Sequence, residues 1–168
     1  MKNLNLFLMI FLFILVSCGY KFEGGGYIQD DISHIAVEMM DNRSSETRAG
    51  IVLTNAIIKE ITGKTNTKIA GDSKAVAVLK GRINSITFAT LSRATTESVI
   101  ERKVTANVDI QLVNNSGKII WAVKNFVLYE DYKVSDNTIA DEINKADAVD
   151  RISIRTAEKI VSKMMNNF

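Results

Sequence analysis

The stretch Val104-Thr105-Ala106-Asn107-Val108-Asp109-Ile110-Gln111-Leu112-Val113 alternates apolar and polar side chains almost to its end. Successive side chains of an extended chain point to opposite faces. Val104, Ala106, Val108, Ile110 and Leu112 therefore share one face, and Thr105, Asn107, Asp109 and Gln111 share the other. A strand with one dry and one wet face belongs to a sheet covered on a single side. Asn114-Asn115-Ser116-Gly117 follows, with residues that tolerate positive φ, and Lys118 to Tyr129 returns as the partner strand of a hairpin.

Upstream, Ala75 to Phe88 is rich in β-branched residues and carries Gly81 in its middle, which predicts a bulge or a close backbone approach there. His34 to Met40 reads as a first strand, with Ile35, Val37 and Met39 alternating, and it ends at the polar turn Asp41 to Ser45. From Glu46 to Thr62 the apolar spacing becomes helical. Ser44 or Ser45 is the expected cap at its start and Gly63 the expected left-handed residue past its end. Glu130 to Asn137 reads as a polar loop, and Thr138 to Met165 as an amphipathic helix with Val149, Ile152, Thr156 and Ile160 on one side. The order β-α-β-β-β-α predicts an α+β, two-layer sandwich: a four-stranded mixed sheet with two helices on one face, spanning residues 31–168 as one domain. The pairing of the first strand is left open by period-2 patterns.

The apolar fraction of the 168-residue chain, 46%, is unevenly spread. Residues 1–17 hold 13 apolar side chains and one charge, Lys2. A positive start followed by a short apolar run has the polarity and length of a secretory signal peptide and is too short for a comfortable bilayer span. Leu15-Val16-Ser17-Cys18 then resembles the bacterial lipobox. That resemblance implies cleavage before Cys18 and attachment of diacylglycerol to its sulfur; the alternatives are a residue at the end of a membrane helix or an ordinary free thiol. Two or three acyl chains, at about 0.8 kcal/mol per buried methylene, hold a protein on a membrane durably. Gly19 after the cysteine, where an inner-membrane lipoprotein would carry Asp, implies sorting to the outer membrane. Residues 18–30, with Gly24-Gly25-Gly26, read as the lipidated cysteine and a Gly-rich tether.

Much chemistry is excluded by counting. One Cys and one His cannot furnish a four-ligand zinc site or an intrachain disulfide, and a net charge of +2 is too small for bulk nucleic-acid binding. The glycines lack the preceding strand and following Lys-Ser/Thr of a phosphate loop, and there is no Gly-x-Ser-x-Gly elbow or Ser-x-x-Lys pair. His34 sits alone at a strand start, and the pairs Asp30/Asp31, Glu130/Asp131 and Asp141/Glu142 lie in loops or at a helix start. The reading is a non-enzyme without cofactor or metal. Arg93, Arg102 and Lys103, near the tips of the second and third strands, would gather around a Ser/Thr-rich loop from Ala89 to Ser98, where cations and hydroxyls suit phosphate oxygens. The same charges, balanced by Glu97 and Glu101, also fit an exposed hairpin that is merely solvated. Asn125, Tyr129 and Tyr132 are similarly ambiguous.

Taken in order, Cys18-Gly19-Tyr20 with Phe22, Ile35-Ala36-Val37 leading into Asp41-Asn42-Arg43-Ser44, Ala77-Val78-Leu79-Lys80-Gly81 with Ile83, Val108 to Val113, and Gly117-Lys118-Ile119-Ile120-Trp121 resemble the LPS-assembly lipoprotein family, LptE. The resemblance spans nearly the whole mature chain, although the proline usual in the tether or first loop is missing. It implies a lipid-anchored subunit at the periplasmic face of the outer membrane, without enzymatic activity. Such a subunit sits inside the large barrel LptD, helps it assemble, plugs it, and assists lipopolysaccharide on its way to the surface. Lipopolysaccharide is thus a candidate ligand of Arg93, Arg102 and Lys103. The opening strand and Asn-Arg turn also look like those of lipoproteins that activate penicillin-binding proteins or assemble the curli-secretion machine, and a small lipid carrier is a third possibility. Replacing Cys18 with Ala is expected to abolish anchoring; persistence of the variant in salt-washed membranes would contradict the lipobox reading.

Overall fold

The computed structural model describes residues 26–28, 32–93 and 99–166. Its elements in chain order are β1 (His34–Val37), β2 (Asp41–Asn42), α1 (Ala49–Lys64), β3 (Lys68–Ile69), β4 (Ala77–Arg93), β5 (Val99–Asn114), β6 (Ile119–Lys133) and α2 (Thr138–Asn166). The two-layer α+β arrangement expected from sequence is present, with six strands in place of four. The sheet runs β3-β1-β4-β5-β6, and β2 pairs with β4 beyond the end of β1. The two extra strands are only two residues long, too short to leave a periodic trace. β1 lies parallel to β3 and β4, whereas β4, β5 and β6 are successive antiparallel neighbours.

β5 is the strand around which the core forms. Val104, Ala106, Val108, Ile110 and Leu112 are all at most 5% exposed, as the alternation requires. Each fully buried Val, Leu or Ile contributes roughly 1.5–3 kcal/mol. Opposite them in register lie Leu79 and Ile83 on β4 and Trp121 on β6, also buried. The helices close this face and pack on each other. α2 presents Val149, Ile152, Ala157, Ile160, Val161 and Met164 at helical spacing. Its buried Ser153 and Thr156 donate to the carbonyls of Val149 and Ile152, so neither hydroxyl is orphaned in the core.

Several boundaries differ from the sequence expectation for identifiable reasons. The hydroxyl of Ser44 donates to Asn42 Oδ1 at 2.7 Å, and Asn42 Nδ2 binds the Glu46 carbonyl. The turn thus consumes the expected cap, and α1 begins later, after Arg48, without a side-chain cap. Gly63 remains helical, and Thr65 ends α1 by donating its hydroxyl to Ile61 O at 2.8 Å. β6 continues through Glu130 to Lys133, where the polar residues predict a loop, because Tyr132 still points into the core while Asp131 and Lys133 stay exposed. Ile28, assigned to the tether, is 1% exposed, and its N–H donates to Thr67 Oγ1, which in turn donates to Ile32 O. Part of the supposed tether is therefore packed body. Cys18 and the leader lie outside the described residues.

Gly81 marks a close approach, as its position suggested. A Cβ there would collide with Ile110 Cδ1 and Met40 Sδ, so any side chain on β4 at this point displaces both of those side chains under the loop between β1 and β2. The bulge of β4 falls nearby, between Ile83 and Ser85. On β6 a second irregularity puts Asn125 at φ 51°, and the Asp109 carboxylate accepts its N–H at 2.7 Å. That bond, with help from Asn84, holds the Asp109 carboxyl below its ordinary 3.8.

Gly81→Ala is expected to cost about 1–3 kcal/mol by overpacking, read as a lower urea midpoint with an unchanged slope. A depressed carboxylate pKa stabilises the fold above its unfolded value and loses that contribution as pH falls through the folded one. Asp109→Asn should therefore lose about 1 kcal/mol at pH 7, with the gap to wild type closing below pH 3.8, measured by denaturation across pH.

Candidate interaction surface

With both helices on one face, the other face of the sheet is open. Lys80, Arg82, Thr87, Thr105, Asn107, Asp109, Gln111, Val127 and Tyr129 project from it. One part is a trough of about 390 Å³ lined by Lys80, Arg82, Asp109, Gln111 and Lys124, among others. Its cations are largely spoken for: Lys80 Nζ lies 2.7 Å from Glu38 and Arg82 Nε 2.8 Å from Asp41. The Arg82 bond, assisted by Arg43, keeps the Asp41 carboxyl below its ordinary range. These are exposed pairs that orient side chains more than they stabilise the fold.

The molecule has two ends. The chain enters at Gly26–Ile28, where Gly26 O accepts from Asn66 N beside β3, level with the starts of β1 and β4. From there β4 runs 17 residues, roughly 50 Å at the rise of an extended strand. Arg93, Arg102 and Lys103 all lie toward that far end, but the structure does not bring them together. Arg102 and Lys103 are strand residues, opposite Thr90 and Ala89, and adjacent strand residues face opposite sides. Arg102 turns to the helix side, 3.9 Å from Asp141 at the start of α2. Lys103 turns to the open side, 4.9 Å over the ring of Tyr129. Arg93, opposite Val99, is three residues further along, about 10 Å. Residues 94–98, including Glu97, lie outside the described residues.

The ambiguous residues also separate. Asn125 is the positive-φ residue of the β6 bulge and is explained by backbone geometry. Tyr132 is 5% exposed, edge-on to Phe88 at 6.2 Å, and its hydroxyl has no hydrogen-bond partner among the described residues. Lys145 of α2 sits 5.0 Å over the other ring of this pair and 3.0 Å from Glu46, whose bond raises its pKa. Tyr129, by contrast, is 59% exposed on the open face. His34 is a partly exposed strand residue, bonded to Ser33 Oγ at 3.0 Å. No three His, Cys, Asp or Glu among the described residues converge on a metal-sized space. The surface thus offers recognition groups.

One feature lay beyond the sequence reading. Among the described residues β6 is the long outer edge of the sheet, pairing with β5 alone. Asn144 Nδ2 of α2 donates to Lys133 O at 3.0 Å and Arg151 Nη2 to Asp131 O at 3.5 Å, so these carbonyls face away from β5. Beside them a cleft of about 450 Å³ is lined by Glu101, Asp131, Tyr132, Lys133, Asn144 and Arg151. The alternation Tyr129, Asp131, Lys133 against Glu130, Tyr132 could have revealed the extended strand. Its edge position could not be read, because edge and centre are properties of the assembled sheet.

Among solved structures, rare lipoprotein B from Shewanella oneidensis is similar at 20% identity and TM-score 0.55, over 79% of this chain and 94% of that one. Lipoprotein B from Nitrosomonas europaea is similar at 12% identity and TM-score 0.59, over 88% and 90%. A lipoprotein from Caulobacter crescentus is similar at 16% identity and TM-score 0.58, over 79% and 88%. At such identities these likenesses establish the fold. No curated protein sequence matches the chain. The model of the LptE family, described as lipopolysaccharide-assembly, matches residues 32–164, from the approach to β1 to the last turn of α2. The match covers well over half of the 168 residues, and so the chain belongs to the LptE family of lipopolysaccharide-assembly lipoproteins.

Proposed function

We propose that this protein is a lipid-anchored accessory subunit at the periplasmic face of the outer membrane, where it occupies the lumen of the barrel LptD, supports its assembly and assists lipopolysaccharide transport. The observation that carries the reading is the family match across residues 32–164. Physical features support it. No described helix is long and apolar enough to cross a membrane. A lumen is wet, and a body placed in it needs polar surfaces. The open sheet face carries Thr87, Thr105, Asn107, Asp109 and Gln111, and the outward side of α2 carries Asp147, Asp150 and Arg151. Anchoring through Cys18 leaves the chain entry at the membrane and lets the far end of the hairpin reach roughly 50 Å away. That end would carry Arg93, Arg102 and Lys103 to anionic groups of lipopolysaccharide, on two faces of the hairpin.

The subunit acts without chemistry of its own: its contribution is shape, anchoring and recognition. Affinity purification of the full lipidated chain from detergent extracts is expected to recover one large β-barrel in near-equal amount. Recovery with an inner-membrane synthase in place of a barrel would favour the activator reading and defeat this one.

A further inference from the structure

We propose that the outer edge of β6 at Val127 and Tyr129 pairs, backbone to backbone, with an extended segment contributed by a loop of the barrel partner. The inference deepens the proposed function and rests on it. In an antiparallel strand the N–H and C=O of one residue point to the same side, and the side alternates from residue to residue. The carbonyls of Asp131 and Lys133 point away from β5, toward α2. By the same parity, Val134 N bonds inward to Ile100 O at 3.0 Å. Val127 and Tyr129, in unbroken register with Asn107 and Thr105, therefore also turn their N–H and C=O outward. Side chains of α2 satisfy the carbonyls of Asp131 and Lys133, and the described residues supply nothing for the four groups at Val127 and Tyr129.

Unpaired edges normally carry a protecting device such as a proline, a lysine directed inward, a bulge or a covering element. β6 has its bulge at Asn125, but Phe126-Val127-Leu128-Tyr129 has none of these and is strongly β-prone. Val127 and Tyr129 are 51% and 59% exposed on one face, so an added strand would find both backbone partners and apolar side-chain neighbours. The charges beside this stretch are already matched. Glu130 is shared by Arg151 and Arg155, and Lys103 lies over the Tyr129 ring. The incoming strand is accordingly near-neutral, with apolar residues at alternate positions.

A closed barrel wall has no free strand edge, so within a lumen the segment comes from a loop folded inward. A second copy of this chain fits less well. Two such short stretches pair over far less than the roughly 1,200 Å² of a stable interface, whereas a barrel supplies the remaining contact by enclosure.

The test is hydrogen exchange of the full lipidated chain, free and in its barrel complex, resolved at the amides of Val127 and Tyr129. Both are expected to exchange freely in the isolated chain and at least tenfold more slowly in the complex. Val127→Pro removes an outward N–H and no ladder bond. This variant should melt like wild type and recover several-fold less barrel. Equal exchange in the two states, or equal barrel recovery by a folded Val127→Pro chain, overturns the docking mode and leaves the barrel reading intact. Protection in the isolated chain that grows with concentration and accompanies a dimeric mass assigns the edge to a second copy and also overturns it. If wild type recovers no barrel, the functional reading falls and this docking mode with it.

Discussion

Five side chains of β5, Val104, Ala106, Val108, Ile110 and Leu112, are sealed beneath two helices, and the rest of the molecule is arranged to keep them there. Sliding β5 by one residue would expose all five and bury Thr105, Asn107, Asp109 and Gln111. The register with β4 and β6 is therefore tightly specified, and the neighbours adjust to it. Gly81 is bare because Ile110 and Met40 fill the space above it. The Asn125 bulge is held by Asp109, a residue on the wet face of the same strand.

Covering one face leaves the other open, and that asymmetry connects the fold to the function. The helices supply the core, so the polar residues on the opposite side of the sheet are free to face another molecule or water. The sheet also outlasts its strongest pairing at one margin. β4 has neighbours on both sides, whereas among the described residues β6 has only β5, and α2 satisfies its outer margin at two carbonyls. Gly26–Ile28 at one end and a long hairpin reaching the other give the body a direction. That geometry suits a subunit that is tethered to a membrane and works at a distance from its tether.

The parts of the fold legible in sequence were those governed by local periodicity. The alternation of β5 and the stripe of α2 each persist over many residues, so packing reinforces a signal already present. Short elements were not legible: Asp41–Asn42 and Lys68–Ile69 become strands only because β4 and β1 lie beside them. The helix start was misplaced because Ser44 had two possible partners, and the turn side chain of Asn42 won it from α1. Of the candidate site, the cations were visible as charges, but their division between two faces follows from strand parity at Arg102 and Lys103, which required the true extent of β5.

The sequence by itself determined the one-sided sheet and the order of its long elements. These are properties of composition and of spacing along the chain. Only the tertiary structure decided that Ile28 belongs to the core, that Arg102 and Lys103 look in opposite directions, and that β6 forms a long edge open at Val127 and Tyr129. Each of these depends on which segments lie side by side, and that is settled by packing between residues distant in sequence.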